Sequence, residues 1–278
     1  MVDVIKSSGE REPFNKGKFC SSLQRAGAPE TVAKAVCTHI EQKITPGIST
    51  SKLYRQALNY LVKNHAEVAA RYSLYRGVAS LGPAGYVFEQ YIEVILQANG
   101  FRTMRDVYVQ GTCLKHEIDV VAIKGNEHYF LEMKYHNEPG IRTHAPTVMY
   151  AWARLDDISQ FENKKEGGVN KHFMWLITNT KFTDTAINYA KCKHIRLSGW
   201  NYPESGNLEE MIISKKLYPV TVLPSVSKYL LPELVKRNII LAQDLVTYSI
   251  DDLKKFGLND MQAEKVKEEV EGLFTTEV

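Results

Sequence analysis

The stretch Lys115–His136, KHEIDVVAIKGNEHYFLEMKYH, constrains the fold more tightly than any other part of the chain. Val120–Ile123 and His128–Met133 are rich in β-branched, aromatic and other apolar residues, and Gly125-Asn126 between them suits a two-residue turn. The pattern predicts a β-hairpin with Lys124 opposite Glu127. Opposed residues keep one constant index sum, which sets Asp119 opposite Glu132 and Glu117 opposite Lys134. Opposed side chains share a face with Cβ atoms about 4.5–5.5 Å apart, and Lys134, two residues beyond Glu132, joins that face.

Like charges across a ladder are unfavourable, so the Asp119 and Glu132 pair calls for a compensating cation. Mg²⁺ prefers oxygen ligands at roughly 2.0–2.1 Å, uses one or two carboxylates and keeps several waters. Asp119 and Glu132 suit that role, with Lys134 beside them to orient or deprotonate a water and offset phosphate charge. A solvated charged face on an ordinary hairpin is the competing reading. Glu117 reads as the ion-pair partner of Lys134 rather than as a further ligand.

Asp119 followed by Glu132-Met133-Lys134 resembles the PD-(D/E)xK nuclease motif, with Ile118 in place of the leading Pro. The flanking stretches AGYVFEQYIEVILQANGF and WLITNTKFTDTAINYAKCKHIRL are similar to the Mrr-type restriction endonuclease branch of that superfamily, and the likeness covers about Gly82 to Leu197. It implies DNA as substrate, Mg²⁺ or Mn²⁺ as cofactor, and Asp119, Glu132 and Lys134 as catalytic residues. The family's acidic residue on the first helix falls on Glu89, which would help bind metal or position water. Glu89 lies on the apolar stripe of a helix expected over Tyr86–Ala98, with Phe88, Ile92, Ile95 and Leu96. A carboxylate there needs a partner, and a salt bridge to a core-edge cation is the alternative.

Past the hairpin, His136–Thr147 reads as a polar loop whose His136, Arg142 and His144 are within reach of DNA phosphates or simply solvated. A helix over about Thr147–Phe161 repeats Met149, Trp152, Leu155 and Ile158, with Met149 and Trp152 read as core. Strand His172–Ile177, a helix capped by Thr183 and strand Ile195–Leu197 imply a parallel crossover, hence a mixed α/β sheet.

The chain of 278 residues has room for two or three domains. Its net formal charge of +3 permits a local basic patch without arguing for one. Cys20, Cys37, Cys113 and Cys192 are scattered with no CxxC, and read as reduced thiols of a cytoplasmic protein. The N-terminus lacks an apolar signal core, and no stretch approaches the roughly 20 apolar residues of a membrane span, so a soluble protein without membrane contact is expected.

Residues 2–6 predict a short strand and a second strand ends near Phe14. Helices follow over Lys16–Ala26, from Pro29 onward, from a Ser49 or Thr50 cap, and over about His65–Ala79. VIKSSGEREPFNKGKFCSSLQRAG, ISTSKLYRQALNYL and AEVAARYSLYRGVA, in that order, resemble the ATP-cone, the nucleotide-sensing module of ribonucleotide reductases and their transcriptional repressor. The likeness implies ATP or dATP as effector, with the phosphate-contacting lysine on Lys6, a later basic residue on Lys18, and Glu12, Asn15 and Thr50 lining the site. Where the family usually has Arg after that lysine, this chain has Ser7. A degenerate cone kept for packing or oligomerisation is the alternative.

Leu81–Gly85 and Trp200–Asn207 break the pattern and suggest domains at 1–81, 82–205 and 206–278. In the last, helices are expected over Leu230–Arg237 and Leu241–Thr247, then two more with Ser249 as cap and Gly257 in the turn. This tail resembles a helix-hairpin-helix, with Asn259 in place of its second glycine, and its acidic final helix leaves DNA binding and protein interaction both open. The expected whole is a multidomain α/β protein: an α-rich ATP-cone, a mixed-sheet restriction-endonuclease-like core and a small C-terminal helical domain. Its expected function is nucleotide-regulated DNA cleavage by a homo-oligomer, the alternative being a non-catalytic nucleotide-responsive DNA-binding regulator.

Overall fold

A computed structural model describes residues 2–6, 8–82, 85–138, 140–163 and 171–274; Ser7 lies outside them. The chain begins with β1 (Asp3–Ile5), β2 (Arg11–Pro13), α1 (Lys16–Arg25), α2 (Glu30–Glu41), β3 (Ile48–Ser49), α3 (Thr50–Asn64) and α4 (Ala66–Ala79). β1 is central, antiparallel to β2 and parallel to β3. Two polar side chains set the helix starts. Asn15 accepts from the Lys18 N–H at α1 and Ser49 from the Lys52 N–H at α3, each satisfying a donor that the first turn leaves unpaired. Leu23, Val36, Ile40 and Leu61 are fully enclosed and form the centre of this core.

The expectation of four reduced thiols is corrected here. Cys20 on α1 and Cys37 on α2 form a disulfide, their Cα atoms brought to 5.9 Å by the packing of the two helices. Cysteines 17 residues apart on separate helices carry no local signal, so only tertiary packing could reveal the pair. Cys113 and Cys192 are exposed and stand outside any disulfide.

Next come α5 (Tyr86–Ala98), β4 (Arg102–Gln110), β5 (Lys115–Lys124), β6 (Glu127–Lys134), β7 (Arg142–Thr143), α6 (Ala145–Glu162), β8 (Lys171–Thr178), β9 (Lys181–Phe182), α7 (Asp184–Cys192), β10 (Arg196–Ser198) and α8 (Leu208–Ile213). The sheet order is β10-β8-β6-β5-β4, parallel from β10 to β6 and antiparallel from β6 to β4. The mixed sheet is therefore present as expected, and β7 with β9 adds a small parallel pair in the segment expected as loop. The hairpin turn places positive φ on Gly125, at 61°, a conformation that glycine adopts without a Cβ clash. On one face Ile118, Phe130, Met174 and Leu176 pack with Val148, Ala151 and Ile158 of α6. Met149 is corrected: it is 45% exposed, because the inward stripe of α6 runs one residue earlier than the expected repeat, while Trp152 is partly buried against the core.

The chain ends in α9 (Leu230–Val235), a 3₁₀ turn over Ala242–Thr247 where a helix was expected, α10 (Ile250–Lys254) and α11 (Asp260–Phe274). Ser249 caps α10 and Gly257 turns the chain with φ of 89°, as the sequence suggests. The start of α11 is already occupied: Asn259 accepts from the Gln262 N–H at 2.9 Å, and Lys254 pairs with Asp260 at 2.6 Å. Two compact units result, residues 1–77 with 220–278, and residues 78–219. Residues past the expected break at 206 stay with the second unit, where Leu208 N–H reaches the Gly199 carbonyl and the buried Tyr91 hydroxyl donates to the Leu217 carbonyl at 2.8 Å. Among the described residues no helix is long and apolar enough to cross a membrane.

Glu269 on α11 is buried and accepts from the Ser225 N–H at 3.0 Å and hydroxyl at 2.8 Å. Burial raises its pKa above the usual carboxylate value despite those two donors. An acid raised in the folded state binds more protons there than when unfolded, so its contribution favours folding at low pH and is lost as pH rises through the folded value. Glu269→Gln removes that titration. The difference in Tm, variant minus wild type, is expected to increase from pH 5 to pH 8 by scanning calorimetry.

Candidate active site

β5 and β6 follow the expected register from Lys124↔Glu127 to Val120↔Leu131, and their recorded backbone pairing ends there. The next expected pair, Asp119 with Glu132, is corrected. Glu132 keeps its parallel pairing with Leu176 of β8 but has no ladder partner on β5, while β5 continues against β4, with Ile118 opposite Val107 and Glu117 opposite Tyr108. Both strands keep their outer neighbours, β4 and β8, on either side of this point, so only the ladder between β5 and β6 ends here. The Asp119 carboxylate spans the opening, its Oδ2 accepting the Met133 N–H at 2.7 Å in place of a ladder bond.

Around this fork the charges of Asp119, Lys134 and Glu89 all act on Glu132. Burial is the first cause of a raised Glu132 pKa, to about 7; the charge of Asp119 pushes the same way, Arg154 and Lys134 oppose it, and Glu89 adds to it. Asp119 is raised too, first by burial and against the Met133 N–H and Arg154, with Glu117 and Asp106 adding repulsion. Glu89, half-buried on α5, is raised by burial and then by Asp119 and Asp106. Lys134 is exposed. The expected Glu117 to Lys134 ion pair is not formed among the described residues: β5 carries Glu117 towards β4, and its carbonyl accepts a bond from Arg154.

Two groups here were not singled out from the sequence. Arg154 of α6 donates through Nη1 to the Glu132 Oε2 and through Nη2 to the Glu117 carbonyl. It falls on the same inward stripe as Val148, Ala151 and Ile158, so placing that stripe one residue earlier would have shown it. Asp106 lies between the pairs Arg105↔Val120 and Val107↔Ile118, level with Asp119, and its φ of 53° is unusual for a strand residue without a ladder partner. Its left-handed backbone has no sequence signal.

The far side of the fork is held by buried polar groups. The Thr178 hydroxyl donates to the Lys134 carbonyl at 2.7 Å. The Asn179 amide, 1% exposed, accepts the His136 N–H and donates to the His136 carbonyl, both at 2.8 Å. These bonds fix the chain leaving Lys134, which is the place of Thr178 and Asn179 in the TNTKFT stretch. His136 is lowered by its burial and by Lys134 and His144 nearby.

Among the described residues no three His, Cys, Asp or Glu side chains are gathered closely enough to hold a metal ion by themselves. The donor set nevertheless fits a hard divalent cation. Asp119 and Glu132 supply two carboxylates, and Mg²⁺ needs one or two with water completing its shell.

In the cone, Lys6 Nζ contacts Glu12 at 2.9 Å and Glu10 at 3.1 Å, which raises the Lys6 pKa. Asn15 and Lys18 meet through the α1 cap, and the pairing Ile5↔Ser49 sets Thr50 beside the end of β1. Both ion pairs are open to solvent, where such contacts are weak and easily exchanged.

A parted hairpin bearing Asp119, Glu132 and Lys134 on a mixed sheet flanked by helices defines a restriction-endonuclease-like domain, here in one chain with an ATP-cone. Family models agree: the ATP cone domain matches residues 2–79, the restriction endonuclease catalytic domain of Mrr matches 83–200, and the AF1548-like C-terminal domain matches 218–274. An uncharacterized protein of Archaeoglobus fulgidus is 39% identical over 172 residues, 62% of this chain and 93% of the relative. The crystal structure of AF1548, a protein of unknown function, superposes with a TM-score of 0.56 at 36% identity, covering 68% of this chain and 97% of that one. The chain belongs to the AF1548-like family.

Asp119→Asn and Asp119→Ala both remove the charge, yet only Asn keeps an acceptor for the enclosed Met133 N–H. Asp119→Asn is therefore expected to be more stable than Asp119→Ala by about 1–3 kcal/mol in urea unfolding.

Proposed function

We propose that the protein is a divalent-metal-dependent DNA endonuclease of restriction or defence type, with ATP or dATP in the cone controlling it. The observation that carries the reading is the fork itself, where Asp119, Glu132 and Lys134 meet beside Glu89. Asp119 and Glu132 would hold Mg²⁺ or Mn²⁺, an ion that would supply Lewis-acid polarisation of the phosphate and a more acidic water. Lys134, exposed at the end of β6, orients the attacking water, takes its proton or offsets phosphate charge. Glu89, half-buried on α5, helps bind the ion or aligns that water. Asn179 and Thr178 keep the Lys134 segment in place while DNA is bound.

Lys6 and Lys18 would bind the phosphates of the nucleotide, with Glu12, Asn15 and Thr50 around them. Control then requires that the nucleotide bind one oligomeric state of a homo-oligomer more tightly than another. A nucleotide-responsive DNA binder without cleavage is the second reading, favoured by the engagement of Glu132 with Arg154.

Supercoiled plasmid with Mg²⁺ or Mn²⁺, with and without ATP or dATP, tests both halves. Wild type is expected to nick or linearise it, Asp119→Ala to lose cleavage, and Lys134→Ala to lose about 10²–10⁴-fold in rate. Cleavage that persists in both variants places the chemistry elsewhere, and DNA binding without cleavage by wild type selects the regulator. Activity and oligomeric state that both ignore ATP and dATP remove the control by the cone.

A further inference from the structure

We infer that Arg154 is a positioning residue for the carboxylate pair, an assignment that rests on the cleavage chemistry proposed above. Arg154 is 8% exposed on the inward stripe of α6, where Val148, Ala151 and Ile158 are its apolar companions. It makes one bond to each arm of the fork, Nη1 to Glu132 Oε2 on β6 and Nη2 to the Glu117 carbonyl on β5. Its Nε is enclosed without a hydrogen-bond partner among the described residues, and the Tyr150 ring lies 5.1 Å from its Cζ.

A cation present only to neutralise acids has no use for a backbone carbonyl on the opposite strand. The carbonyl bond ties the planar guanidinium to β5, and the planar group in turn sets the Glu132 carboxylate relative to Asp119, two residues along β5 from Glu117. It engages Oε2 of Glu132, and Oε1 accepts no hydrogen bond among the described residues. A lysine in its place keeps the charge and loses the rigid fork of donors. Groups that orient a metal-binding carboxylate in this way typically change metal affinity by about 10–100-fold when removed.

Charge and positioning predict opposite signs. Arg154 is a positive charge beside the acids, so as a charge alone its removal tightens binding of a divalent cation, whereas loss of an orienting partner weakens it. The test is calorimetric titration of the full chain with Mn²⁺ in the absence of DNA, for wild type, Arg154→Met and Arg154→Lys. Thermal unfolding verifies that each variant is folded, and plasmid cleavage is measured in parallel. Expected are about 10–100-fold weaker Mn²⁺ binding in Arg154→Met, no full rescue by Arg154→Lys, and a fall in kcat with little change in KM for DNA. Should Arg154→Met fail to fold, Arg154→Lys decides alone. Unchanged or tighter Mn²⁺ binding in Arg154→Met, or wild-type affinity in Arg154→Lys, overturns the assignment while leaving the nuclease reading intact. A wild-type protein that neither binds Mn²⁺ nor cleaves DNA overturns both.

Discussion

The parting of β5 from β6 after Val120 and Leu131 is the constraint on which the rest of the site depends. β5 keeps β4 and β6 keeps β8 on their outer edges on either side of this point, so the sheet holds together while the ladder between the two ends. The Asp119 carboxylate takes over one bond at the branch, and Arg154 enters from α6 to touch both arms.

The opening has an electrostatic cost. Glu89, Asp119 and Glu132 are all raised from their ordinary values, first by burial; the charge of Asp119 then adds to the rise of Glu89 and Glu132, and Glu117 and Asp106 add to that of Asp119. Apolar packing elsewhere in the same unit, from Phe88, Ile92 and Leu96 on α5 to Met174 and Leu176 on β8, supplies the stability that lets the cluster persist. The acids at the branch are perturbed by burial, whereas the exposed charges of α10 and α11 pair among themselves.

Much of this was legible from residue order. Gly125-Asn126 with its apolar flanks fixed the hairpin and its register as far as Val120 and Leu131, and Asn15, Ser49, Thr183 and Ser249 marked helix starts where their side chains do accept first-turn N–H groups. The ladder does not extend to Asp119 and Glu132, where the Asp119 carboxylate rather than a backbone carbonyl accepts the Met133 N–H, a side-chain substitution that a backbone register rule does not contain. Arg154 was hidden by a stripe read one residue late, which also exposed Met149. The Cys20–Cys37 bond and the left-handed Asp106 arise from tertiary packing and leave no local pattern. The family matches identify the modules, and the residues of the fork give the restriction-endonuclease-like domain its chemical content.

The most direct measurement is anomalous scattering from crystals of the full chain grown with Mn²⁺. The account predicts a single strong peak bonded to the carboxylates of Asp119 and Glu132, with Arg154 still held to Glu132 and to the Glu117 carbonyl. A peak bound elsewhere, or a fork in which only Arg154 contacts the acids at saturating Mn²⁺, would contradict it.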